Sequence, residues 1–250
     1  GLTIDYGPYG WLEGYDLQWT PNTTDAEGRR YCYGNQPGIA QWNLVRLANA
    51  LYPLVEDKAP LEHALGTFGE VFESASAGML AEKLGLESVD REGDGALLTE
   101  LFELLQAVET DMTIFFRKLA DVPLEEHAHD AALTAPLAHA FYDESGAAAD
   151  HRARLAAWLR SYAARVRAEG MQAGERRDRM NCANPKYVLR NYLAQEAIDA
   201  LAAGDATVME RLMKVLERPY DEQPDHEALA DRRPEWARNK PGCSALSCSS

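Results

Sequence analysis

From Ile39 onward apolar residues recur at three- and four-residue steps, the spacing that gathers them on one face of an α-helix. Ile39, Trp42, Leu44, Val45, Leu47, Ala48 and Leu51 form the first stripe. Pro53 and Pro60 close that helix and open the next, whose stripe is Leu61, Leu65, Phe68, Val71, Phe72, Met79, Leu80 and Leu84. Gly85 stands where a helix C-cap is expected. Leu97, Leu98, Leu101, Leu104, Leu105, Val108, Met112, Phe115, Phe116 and Leu119 predict a third helix. A fourth is predicted over 147–169, with Leu155, Trp158, Leu159, Tyr162 and Val166 inside and its arginines on the wet face. Asn184 before Pro185 reads as a helix start, asparagine capping and proline at the first position. That helix would carry Tyr187, Val188, Leu189, Tyr192, Leu193 and Ala197, leaving Arg190 and Asn191 as candidates for buried polar anchors. A last helix follows Asp205, with Val208, Leu212, Val215 and Leu216 inside.

Two stretches break this period. Leu2-Thr3-Ile4 suits a short buried strand. Residues 5–37 are punctuated by Pro8, Gly10, Gly14, Pro21, Asn22, Gly28, Gly34 and Pro37, which excludes long regular elements. Trp11, Tyr15, Trp19, Tyr31 and Tyr33 are the residues that would pin such a loop to a core. Arg233-Pro234-Glu235-Trp236-Ala237 reads as the end of the ordered part, and 241–250 as a small-residue, flexible tail. The expected fold is mainly α with little strand, organised as 1–37, a helical body over 38–240 and the tail.

Charge narrows the partners. Acidic residues number 40 against 25 basic, a formal net charge of −15. That opposes non-specific binding to nucleic acid or to an anionic membrane, where basic patches supply the affinity. No apolar run reaches the ~20 residues of a membrane span. Four cysteines, Cys32, Cys182, Cys243 and Cys248, are too sparse for a disulfide framework and show no Cys-x-x-Cys spacing. A reducing cytosol is the first expectation. The chain opens on Gly1 inside what reads as a strand, so it is expected to be the C-terminal piece of a longer protein, whose N-terminal targeting signals would lie outside it.

Two acidic clusters and one lone aspartate invite a metal. Asp90-Arg91-Glu92-Gly93-Asp94-Gly95 has the opening of a calcium loop, but Leu101 stands where the bidentate glutamate belongs, and an acidic helix N-terminus explains it better. His127 and His129, among Glu125, Glu126 and Asp130, are two apart in a polar connector, which favours a solvated loop. Asp5, at the end of the Leu2–Ile4 strand and two residues before Gly7, is the lone aspartate. A carboxylate at a strand end is a good magnesium ligand, although an aspartate near a glycine is first of all a turn signal.

The wider pattern bears on Asp5. Asp5-Tyr6-Gly7-Pro8-Tyr9-Gly10-Trp11, Gly34-Asn35-Gln36-Pro37 and Gln41-Trp42-Asn43-Leu44 resemble the selenoprotein O family (YdiU in bacteria). So do Asn184-Pro185-Lys186-Tyr187-Val188-Leu189-Arg190-Asn191-Tyr192-Leu193-Ala194, Pro219-Tyr220-Asp221-Glu222-Gln223-Pro224 and the terminal Ser247-Cys248-Ser249-Ser250. The blocks follow the family's order and span the chain. The resemblance implies the C-terminal part of a protein-kinase-like C-lobe, in a protein that transfers AMP from ATP to Ser, Thr or Tyr hydroxyls of protein substrates. It makes Asp5 a ligand of magnesium, or manganese, that bridges to the ATP phosphates, and makes 5–37 the place of the activation segment. The catalytic base, the second metal ligand and the phosphate loop would precede Gly1, so the piece alone is expected to be inactive. By themselves Cys243 and Cys248 read as two inert thiols on a dangling tail; the resemblance places the family's selenocysteine-or-cysteine position at Cys248 and shifts the reading towards a redox role, with Cys243 as a near partner and Cys32, in a loop that differs from the family's forms, as the other candidate. A redox-controlled binding module with decayed catalytic residues, or an ordinary phosphotransferase, fits the same residues. The compartment would be the cytoplasm in a bacterium and the mitochondrion in a eukaryotic relative.

Overall fold

The computed structural model describes residues 10–20, 28–142 and 148–243. Among them the chain is helical and contains no sheet; the two β-type contacts are isolated bridges, Gly14 with Asp111 and Thr110 with Phe141. The helices are α1 (Gln36–Val55), α2 (Ala59–Leu84), α3 (Asp94–Ala107), α4 (Met112–Leu119), α5 (Asp130–Thr134), α6 (Ala148–Arg167), α7 (Ala173–Ala183), α8 (Asn191–Ala202) and α9 (Thr207–Leu216). No helix among the described residues is long and apolar enough to cross a membrane. The expected mainly helical body is therefore present, and the Leu2–Ile4 strand lies outside the described residues.

The main core joins the last turn of α2 to α3, α4, α5 and α6. Leu84, Leu101, Leu104, Phe115, Leu119, Leu133, Leu159 and Tyr162 are essentially inaccessible. Trp158 and Tyr162 stack at 5.3 Å, and Phe115 lies 6.5 Å from Trp158. A smaller cluster joins Tyr192 and Leu193 of α8 to Leu212 of α9, Ala237 and Cys243. Structure thus continues past Ala237, where the sequence pattern placed its end, because Cys243 closes this second cluster.

The periodic stripe from Leu97 to Leu119 is two helices rather than one. Asp111 interrupts it in an extended conformation, and its carboxylate accepts from the Ile114 amide at 3.0 Å as the N-cap of α4. The strongest helix-start signal after α6 also resolves differently. Asn184 ends α7 instead of starting a helix: its Nδ2 donates to the Lys83 carbonyl at 2.9 Å and its Oδ1 accepts from Lys83 Nζ at 3.1 Å. Residues 185–190 then run without helix, the amides of Lys186 and Tyr187 both donating to the Pro219 carbonyl. Helix α8 starts only at Asn191.

An arginine is buried where helices end. Arg176 is 2% exposed and donates to the Ala120 carbonyl beyond α4 at 3.0 Å and to the Tyr162 hydroxyl at 2.9 Å. Tyr162 in turn donates to the Leu84 carbonyl of α2 at 2.7 Å. The unsatisfied carbonyls at a helix C-terminus carry partial negative charge, so this buried guanidinium is held by helix ends. Gly85 is forced by the same junction: its φ is +64° and a Cβ there would stand 2.7 Å from Arg176 Cγ and 2.8 Å from Met180 Cγ. Arg165 grips Asp94 at 2.7 and 3.2 Å, so the acidic turn before α3 is an ion-paired helix start.

Candidate functional site

Asp5 and Cys248 lie outside the described residues, as does the Asp-Tyr-Gly turn. What the structure places is the segment that follows, residues 10–20. It has no regular structure, as its glycines and aromatics predicted, and it is held at three points. The Trp11 amide donates to Asn191 Oδ1 at 2.9 Å while Asn191 Nδ2 donates back to the Trp11 carbonyl at 2.8 Å. The Met112 amide donates to the Glu13 carbonyl at 2.9 Å, beside the Gly14–Asp111 bridge. Tyr15 stacks on Phe102 at 4.8 Å, with Tyr33 edge-on to it at 6.2 Å. Tyr31, by contrast, is more than half exposed. The second limb of the loop returns alongside the first, Tyr33 and Gly34 donating to the carbonyls of Trp19 and Leu17.

Beneath these contacts lies a buried ion pair. Arg190, 1% exposed, holds the fully buried Asp111 through two bonds of 2.5 and 3.2 Å. Burial pulls the Arg190 pKa down, but the Asp111 carboxylate and Glu13 outweigh it, so the guanidinium stays charged. Arg190 and Asn191, flagged in the sequence as buried polar anchors, are the corner to which residues 10–20 are attached. Asp111 and Glu13 were missed. The Asp111-Met112-Thr113-Ile114 start of α4 was masked by continuous apolar spacing, and Glu13 sits in a stretch with no period to read.

Glu13 is 9% exposed. Its Oε2 is 3.6 Å from Arg233 and its Oε1 3.9 Å from Arg190, and Oε1 has no hydrogen-bond partner. Burial raises its pKa despite both arginines. Glu13 faces a cleft of about 340 Å³ walled by Trp11, Asp16, Trp19, Asn191 and Arg233. Arg233 also pairs with Glu109, and its amide donates to the Tyr142 hydroxyl at 2.9 Å. Burial and the Asp111 charge push that hydroxyl far above its ordinary pKa, so it stays protonated.

A second cleft of about 440 Å³ opens between α4, α7 and the chain near Glu222. Its charges satisfy one another. Arg117 donates to the carbonyls of Asn181, Asn184 and Tyr220 and to Glu222, and Lys186 bridges Glu222 and Glu227. This cleft is a structural joint. The first, with aromatic walls and with Glu13 and Arg233 in its lining, is the candidate binding surface.

Among the described residues no three His, Cys, Asp or Glu side chains form a group that could hold a metal. Asp94 is committed to Arg165, and His129 precedes α5 as its N-cap residue. Cys32 and Cys243 are buried free thiols and Cys182 an exposed one. Burial raises the Cys243 pKa.

A family model described as protein adenylyltransferase SelO matches residues 1–217. A protein of Nitrosospira multiformis named protein nucleotidyltransferase YdiU is 62% identical over 270 residues, covering 100% of this chain and 48% of that protein. Proteins of the same name from Rhodopirellula baltica and Aromatoleum aromaticum are 54% and 51% identical, each covering all of this chain and 48% and 46% of their own lengths. The chain spans about half the length of these curated relatives.

Removing one member of the buried pair should be costly. Arg190→Met or Asp111→Asn alone is expected to lower stability by ~3–5 kcal/mol, because a charge is left buried and uncompensated. The double substitution should recover a large part of that loss; urea unfolding of the four species measures it, and additive losses would contradict the pairing.

Glu222 supplies a pH-dependent contribution. Its hydrogen bonds to Lys186 and Arg117 hold its pKa at about 2, against an ordinary 4.5. A depressed carboxyl pKa means the folded state binds the proton less readily than the unfolded state. The contribution is thus present above pH 4.5 and lost as pH falls towards 2. Lys186→Met should flatten stability across that window in a pH series of denaturation midpoints; an unchanged acid slope would contradict the assignment.

Proposed function

The chain belongs to the protein adenylyltransferase SelO family, and from that premise we propose that it is the C-terminal part of a longer enzyme that transfers AMP from ATP to Ser, Thr or Tyr hydroxyls of proteins. The hydroxyl oxygen forms a bond to the α-phosphorus, the bond between the α- and β-phosphates breaks, and pyrophosphate leaves. The hydroxyl proton passes to a base outside this chain. Asp5 is this chain's contribution to holding magnesium or manganese with ATP; when bound, the metal neutralises charge on the phosphate oxygens. A single carboxylate does not hold magnesium-ATP, since the ion needs several fixed oxygens, so this chain alone is inactive.

The observation that carries the structural side of this reading is the anchoring of residues 10–20. The segment directly after Asp5-Tyr6-Gly7 is pinned to a helical body by Asn191 and Glu13 backbone contacts, and it borders a cleft with aromatic walls. A segment so placed suits the presentation of a protein hydroxyl. Redox control through Cys248 belongs to the same reading. Cys32 and Cys243 are both buried, so either would have to be uncovered before pairing with it, and non-reducing peptide mapping after mild oxidation reads that pairing.

In the longer protein, Asp5→Ala should reduce AMP transfer to a protein acceptor by orders of magnitude with the thermal unfolding midpoint unchanged. Mass spectrometry of the acceptor distinguishes added AMP from added phosphate. Near-normal transfer by the variant, or phosphate in place of AMP, would overturn the proposal.

A further inference from the structure

Helix α1 has the composition of a buried helix and the surroundings of an exposed one. Arg46 is the single charged residue among its 20, and none of its side chains is buried. Trp42, Leu47, Tyr52 and Val55 are 43–54% exposed, and Leu54 is 81% exposed. A helix that is apolar on most of its circumference is ordinarily enclosed by protein. Helix α1 packs on α2, and among the described residues α2 buries side chains only near its C-terminal end, at Ala81 and Leu84. The outer length of α2 adds Val71, Phe72 and Met79 to the open face.

Glycines point the same way. Gly66, Gly69 and Gly78 interrupt α2, and a Cβ added at any of them would meet nothing within 4 Å. An interior helix glycine costs roughly 1 kcal/mol against alanine, and among the described residues these three have nothing to accommodate. They become useful if another element approaches the α2 backbone closely. The apolar face and these glycines together form a surface larger than scattered exposed side chains, of the kind that marks an interaction site.

We propose that the α1–α2 hairpin is the seat for the half of the longer protein that precedes Gly1, and that α1 is enclosed between that half and α2. This rests on the reading that the chain is part of a longer protein. Relatives named for one activity match all of this chain with only 46–48% of their own residues, so about half of each remains to be packed against something. A near-neutral, apolar helix within a chain of net charge −15 is where that packing can occur without ion-pair partners.

Two pairs of side chains within the molecule provide the test. Met79 and Met213 are equally open in this structure, 58% and 61% exposed, as are Trp42 and Trp236 at 43% and 48%. Hydroxyl-radical footprinting of the longer protein, read residue by residue, should find Met79 and Trp42 oxidised several-fold more slowly than Met213 and Trp236. Equal rates within each pair would overturn the proposal. Protection that appears only at concentrations where sedimentation shows a dimer would assign the face to a second copy and equally overturn it. The readout is independent of catalysis, so protection of the hairpin stands even if the transferred group proves not to be AMP.

Discussion

The Arg190–Asp111 pair is the constraint on which the rest of the arrangement depends. Two opposite charges with almost no solvent contact are held at 2.5 and 3.2 Å. Such a pair adds little net stability compared with apolar residues of the same size, but it is costly to misplace, so it specifies position. Asp111 is simultaneously the N-cap of α4, and Arg190 is the residue before α8. Joining them fixes the start of α4 against the start of α8. Residues 10–20 lie across this junction, their backbone bonded to Met112 on one side and Asn191 on the other.

The same logic recurs where helices end. Buried arginines are held on the carbonyls of helix ends as well as on carboxylates. Arg176 sits on the carbonyl beyond α4 and, through Tyr162, on the end of α2; Arg117 takes the carbonyls of Asn181 and Asn184 at the end of α7. Asn184 ties the ends of α2 and α7 together through Lys83. These contacts satisfy carbonyls that helices leave open and place the cations at the negative ends of helix dipoles. The stretch from Asn184 to Asn191 is therefore a line of connectors: Asn184 to α2, Lys186 to Glu222 and Glu227, Tyr187 to the Gln223 carbonyl, Arg190 to α4 and Asn191 to Trp11.

Helices with a long apolar period were legible in the sequence because burial imposes that period. The boundaries that failed are those set by a single polar contact. Asn184-Pro185 carries a helix-start signature, yet its asparagine is used by Lys83 101 residues away. The stripe from Leu97 to Leu119 hides the break at Asp111, since an N-cap inside continuous apolar spacing leaves the period intact. Arg190 and Asn191 could be recognised as buried polar groups because they fall among apolar positions; their partners Asp111 and Trp11 could not be named, as pairing at a separation of 79 or 180 residues has no local signal. The α1 stripe has the spacing of a helix face that packs, and among the described residues it has no core to join.

The central claim is that the α8 corner, and not the loop's own aromatic contacts, holds residues 10–20 in place. Native-state amide hydrogen exchange on Asn191→Ala tests it most directly. The account predicts that the Trp11 and Met112 amides exchange markedly faster in the variant while amides of α3 and α6 keep their protection, since the loss is a local opening. Unchanged exchange at Trp11, or equal acceleration throughout α3 and α6, would contradict it.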